Sequence, residues 1–258
     1  MNSKTGTALT PEQFDRLYLG PPNSVKGDLR QTFGNPTPLG IAGLLIAITP
    51  LTCQLMGWGG AYGGGQATVG SLFFLGGFCT MLASVGNFIL GNTFPATFLG
   101  IYGGFFLSLA LTLTPSSGAA NTDVYPKGPE DPGFMAAFGF FAIFMGVFTF
   151  IVLLGALRTN LILVITFMML CPTFVILGAS KLYGAAGNTE KLHDLEQVAG
   201  ALGFGSICPG WYLLAAEILA SVDFPFQLPV FDLSAFVPGA TDLSRRRAQP
   251  NSDLESGE

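Results

Sequence analysis

From Gln31 through Thr122 the chain carries no aspartate, glutamate, lysine, arginine or histidine. A soluble fold cannot easily be made from such a stretch, because the half of its surface that meets water is normally set with charge. A chain immersed in lipid can be, because hydrocarbon faces most of its surface. The remainder agrees: half of the 258 residues are hydrophobic and 10% are Asp, Glu, Lys or Arg, against roughly 25% in an ordinary soluble domain.

A hydrocarbon core of roughly 30 Å takes about 20 residues of helix to cross. Six segments meet that length, at 37–57, 67–90, 95–115, 133–156, 160–180 and 197–222. None shows the two-residue alternation of a barrel strand, and lipid cannot satisfy an open backbone, so the spans are helices. The predicted fold class is therefore an all-α membrane protein with six transmembrane helices. The 35 glycines fall largely within apolar runs, where they let helices approach closely.

Three parts are expected: a polar tail over 1–34, a membrane domain over 35–222, and a polar tail over 223–258. The first tail has no apolar core of a signal peptide and is read as disordered. With both tails on one side, that side holds Lys4, Arg16, Lys26, Arg30, Arg158, Arg245, Arg246 and Arg247, and the other Lys127, Lys181 and Lys191. By the positive-inside rule both termini are cytoplasmic. The segment Lys181 to Glu196 reads as a polar loop.

Several functions are disfavoured. Cys53, Cys79, Cys171 and Cys208 lie in apolar stretches without a CxxC pair, and the single histidine, His193, lies in the polar segment. No metal centre and no cofactor are expected. Phosphate loops, dinucleotide fingerprints and nucleophile elbows are missing from the sequence, which argues against an enzyme. No basic patch interleaved with aromatics suggests nucleic acid.

Four polar constellations remain. Asn35-Pro36-Thr37-Pro38-Leu39-Gly40 opens the first span and Gly91-Asn92-Thr93-Phe94-Pro95 the third. Asparagine caps helix starts and proline suits the first turn, so both read simply as well-made helix starts. They also read as a mouth, since helix N-termini attract anions; Asn160 stands similarly before the fifth span. Tyr102, followed by two glycines, is either a packed aromatic or a pore residue. Glu217, following Trp211 and Tyr212, is the one acid placed within a span. It is a candidate for handling a proton, unless it sits near enough to the interface to reach water. Thr49, Thr52, Gln54, Thr80, Ser84, Asn87, Thr166 and Thr173 either line a passage or bond between helices, and Pro50, Pro172 and Pro209 are potential kinks.

The stretch Asn35 to Gly40 resembles the N-P-A-P-L-G signature of the acetate uptake transporter family, which includes the succinate–acetate permeases of YaaH type. Gly91-Asn92-Thr93-Phe94 with Tyr102-Gly103-Gly104-Phe105 resembles that family's second segment, and Trp211 to Leu214 with Val222 to Phe226 its fungal C-terminal part. The likeness runs from Asn35 to Leu233. It implies a compact six-helix bundle around a narrow pore, assembled as a homo-hexamer, that moves acetate or another small monocarboxylate with a proton or as the neutral acid. It places the pore constriction at Leu44, Tyr102 and Leu170. The two helix starts then supply the candidate pore mouth, Asn35, Thr37, Asn92 and Thr93, and the plasma membrane is the expected location. The sequence departs from the pattern in that Leu44 replaces a phenylalanine, Thr37 an alanine, Asn87 a frequent glutamate, Pro95 a glycine and Phe106 a tryptophan. Alternatives of the same shape are a passive channel for weak acids or neutral solutes, and a non-transporting acid or acetate sensor.

Overall fold

A computed structural model of the chain describes residues 33–233 and Val237. The tail cations used above to orient the chain, Lys4 to Arg30 and Arg245 to Arg247, lie outside the described residues, as do most of both expected tails. Six helices long and apolar enough to span a membrane make up the fold: α1 Thr37–Leu55, α2 Gln66–Ile89, α3 Thr93–Leu113, α4 Pro132–Ala156, α5 Leu161–Ala185 and α6 Thr189–Ser221. Among the described residues the only extended pairing is one bridge between Asn160 and Asp232.

The helix starts follow side-chain chemistry. Asp131 accepts from the Gly133 N–H at 2.8 Å with Pro132 in the first turn of α4. Asn160 accepts from the Leu163 N–H at 2.9 Å to begin α5, and Asn188 from the Lys191 N–H at 3.0 Å to begin α6. Each satisfies an N–H that has no partner within its helix. Helix α1 starts one residue later than a cap at Asn35 would place it: Pro36 holds the cap position, while Asn35 accepts from the Thr37 N–H at 3.0 Å.

The six helices close into a ring. Helix α1 packs on α2 and α6, α2 on α3, α4 on α5, and α5 on α6. A hydrogen bond from Tyr102 of α3 to Thr149 of α4 completes the circuit. Glycine sets two of the contacts. A Cβ on Gly43 would run into the Leu75 carbonyl oxygen of α2, and one on Gly178 of α5 would lie 2.5 Å from Ile143 Cγ1 and 2.6 Å from the Gly139 carbonyl oxygen of α4. Helix α2 meets α1 through an irregular stretch, since Leu72–Cys79 is wound as π-helix. There the Thr80 hydroxyl lies 3.3 Å from both the Leu75 carbonyl, five residues back, and the Gly40 carbonyl of α1. Pro50, Pro172 and Pro209 lie inside continuous helices.

Many hydroxyls within the spans are satisfied locally. Thr97, Ser108, Thr112, Thr166 and Thr173 each donate to the carbonyl four residues earlier, a way of holding a polar atom where water is scarce. Others tie helices together: Ser84 donates to the Ala96 carbonyl of α3 at 2.6 Å, Trp211 of α6 to Thr49 of α1 at 3.2 Å. The outer faces are greasy. Phe74, Phe78 and Phe88 on α2 and Phe140, Phe144 and Ile151 on α4 are each more than half exposed, a surface suited to lipid and not to water.

The expected polar loop at Lys181 to Glu196 is helix for most of its length. Helix α5 continues to Ala185, a turn at Ala186 to Asn188 follows, and α6 is already under way at Thr189, so His193 is helical. Charge ends an apolar run without ending a helix, and Glu, Lys and Leu are good helix formers. The segment after α6 also folds back on the bundle. Tyr212 donates to the Pro229 carbonyl at 2.9 Å, Leu161 N–H to the Phe231 carbonyl at 3.0 Å, and Leu233 N–H to the Thr159 carbonyl at 2.9 Å, with Val230 buried.

Candidate functional site

A cavity of about 1070 Å³ lies among the helices. At one end, the loop end, it is lined by Tyr62, Asn121, Glu130, Lys181 and Glu196. Its middle is lined by Leu44 of α1, Tyr102 of α3 and Leu170 of α5, and it ends among Ile41, Phe98, Leu163 and Leu213 toward the end where α1 begins. The wall is thus polar at the loop end and apolar deeper in, although Thr52, Gln54, Thr166 and Thr173 also contribute.

Tyr102 is buried and fixed on all sides. Its ring lies nearly parallel to those of Phe167 and Phe174, with centroids 6.3 Å away in each case and interplanar angles of 15° and 7°. Phe148 meets it edge-on at 5.7 Å. Its hydroxyl donates to Thr149 at 2.9 Å, and Thr149 in turn donates to the Met145 carbonyl at 2.7 Å. Tyr102 therefore presents ring to the cavity and commits its hydroxyl to α4. Phe167, Leu170 and Phe174 share one face of α5, at intervals of three and four residues.

This arrangement gives a stability prediction. Thr149→Val leaves the buried Tyr102 hydroxyl without its acceptor and is expected to cost about 1–3 kcal/mol. Adding Tyr102→Phe removes the stranded group, so the double variant is expected to recover most of the loss. Melting in detergent measures both; a double variant no more stable than Thr149→Val would show that the hydroxyl pair is not the cause.

Asn35, Thr37, Asn92 and Thr93 do not line the cavity. Thr37 and Asn92 meet instead on Asn87 of α2: the Thr37 hydroxyl donates to Asn87 Oδ1 at 3.1 Å, and the Asn92 amide to the same oxygen at 3.2 Å. Asn87 Nδ2 donates to the Ala83 carbonyl at 3.0 Å, and the Asn92 N–H to the Asn87 carbonyl at 2.9 Å. All three residues are buried. The cluster joins the starts of α1 and α3 to the last turn of α2, which explains why polar side chains recur there.

Glu217 is completely buried, and neither carboxyl oxygen has a hydrogen-bond partner. The alternative in which it reaches water is not what the structure shows. It stands one turn beyond Leu213, which lines the cavity, but does not line it itself. Sequence reasoning missed three features: the Thr149 acceptor, the aromatic pair around Tyr102, and the ion pair between Lys181 and Glu196 at the loop end. Only the second had a local signal, the Phe167-Leu170-Phe174 spacing.

Comparison with known proteins adds to this geometry. The GPR1/FUN34/yaaH family matches residues 21–235. Protein alcS of Aspergillus fumigatus is 41% identical over 238 residues, covering 90% of this chain and 87% of that protein. The acetate transporter protein patA of Aspergillus clavatus is 31% identical over 202 residues, 78% of this chain and 79% of that one. Among solved structures, the bacterial acetate channel SatP shares the fold, with a TM-score of 0.60 and 24% identity over 77% of this chain and 99% of that one.

Proposed function

Given that the chain belongs to the GPR1/FUN34/yaaH family, we propose that it is an integral membrane protein that carries acetate and similar small monocarboxylates through the cavity between its six helices. The observation that carries this reading is the cavity itself: a long internal space, polar at the loop end, with an apolar middle at Leu44, Tyr102 and Leu170. The name of the relative patA supplies the solute class. A carboxylate is costly to desolvate, so an apolar neck hinders bare hydrated ions and favours a solute whose charge is neutralised. Acetate moves with a proton or as the neutral acid, and Glu217, the orphaned carboxyl beyond the end of the cavity, is the candidate that handles the proton. The greasy outer faces of α2 and α4 suit lipid and the neighbouring subunits of a hexamer. The plasma membrane is the proposed location, with both termini cytoplasmic.

The test is uptake of labelled acetate into vesicles containing the purified protein, with and without an imposed proton gradient. Saturable accumulation above equilibrium marks a proton-coupled carrier. Equilibration without accumulation marks a passive channel, the same passage without coupling. No flux above protein-free vesicles removes the proposal.

A further inference from the structure

At the loop end of the cavity, α5 and α6 continue as helices and bring Lys181 and Glu196 face to face. Lys181 Nζ donates to Glu196 Oε1 at 2.6 Å. Both residues line the cavity, and neither side chain is more than a third exposed, at 28% and 18%. Among the described residues that line the cavity, Lys181 is the one lysine or arginine. His193 stands 3.8 Å from the other Glu196 oxygen and is largely exposed, and the rim also carries the exposed Glu130.

We infer that Lys181 is a carboxylate-binding residue at the entrance to the passage, and that Glu196 is its built-in competitor, displaced when a solute carboxylate takes its place. The inference rests on the proposed transport of monocarboxylates and assigns a residue to their recognition. The chemistry is an exchange of like for like. Acetate offers Lys181 the same acceptor group that Glu196 offers, so the ammonium keeps a charge-assisted hydrogen bond throughout. Long-range attraction is not the source of selectivity, because Glu196 and Glu130 outnumber the lysine at the rim. Selection comes from contact, at a half-buried cation that holds one carboxylate at a time.

The competitor role fixes the signs of the test. In vesicle uptake assays, Lys181→Gln is expected to raise the KM for acetate roughly fivefold, the effect of losing a charge-assisted hydrogen bond discounted for a part-exposed site. The maximal rate should change much less. Glu196→Gln is expected to shift KM the opposite way, lowering it, because the lysine is freed for the solute. Lys181→Arg should keep KM near that of the unmodified protein. A pair that merely clamps α5 to α6 predicts no improvement in KM from Glu196→Gln. If Glu196→Gln raises KM or leaves it unchanged, or if Lys181→Gln leaves KM unchanged while the unmodified protein transports acetate, the inference is overturned and the transport reading stands. Absence of acetate flux in the unmodified protein overturns the transport reading itself.

Discussion

Leu44→Trp is expected to reduce acetate uptake by about tenfold or more while leaving the protein folded, the behaviour of an apolar constriction narrowed by bulk. Leu44 stands in the middle of the cavity wall with Tyr102 and Leu170. Tyr102 cannot move aside easily, since Phe167, Phe174 and Phe148 surround its ring and Thr149 holds its hydroxyl. The added indole must therefore occupy the passage. Because it enters space that is already empty, the stability loss that follows overfilling of a packed core is not expected. Leu44→Ala is the complementary variant and should admit longer acids. Initial rates of labelled acetate uptake, normalised to monodisperse protein, decide the matter. A tryptophan variant with unaltered rates would mean that solute does not travel past Leu44.

Gly43→Val, one residue away, is expected to act on the fold rather than on the passage. Gly43 is buried, and its missing Cβ leaves room for the Leu75 carbonyl oxygen of α2. Forcing extra atoms into packed side chains costs about 1–3 kcal/mol. Here the obstacle is backbone, so α1 and α2 must separate, and the expected loss lies at or above the top of that range. Size-exclusion profiles and melting in detergent report it. A valine variant that melts with the unmodified protein would show that this contact is not tight.

These neighbouring residues illustrate what the sequence discloses. The six spans were legible because hydrocarbon enforces an unbroken run of apolar residues, and each predicted segment overlaps an observed helix. A run of hydropathy says nothing about which face of α1 turns inward, however. That Leu44 faces the cavity and Gly43 faces α2 becomes visible only when the helices are assembled. The candidate mouth residues show a second limit. Asparagine and threonine at helix starts have the same appearance whether they wait for a solute or for each other, and Thr37 and Asn92 bond to Asn87. The loop end shows a third. Charges at Lys181 and Glu196 suggested the end of order, yet they meet across a short turn, and fifteen residues of separation hide such a pair from any local pattern.

The π-wound stretch of α2 has a consequence for how this chain can change length. A π turn holds one more residue than an α turn, and one residue of regular helix corresponds to roughly 100° of rotation. Removing a residue from Leu72–Cys79 would let the stretch relax to ordinary winding, with the flanking segments still presenting their present faces to α1 and α3, while the Leu75 carbonyl must re-seat against Gly43. The same deletion in a regularly wound span would rotate half of that span out of phase with its neighbours. Helix α2 is thus a place in the bundle where the loss of a single residue can be absorbed, a slack link among spans otherwise wound as regular α-helix.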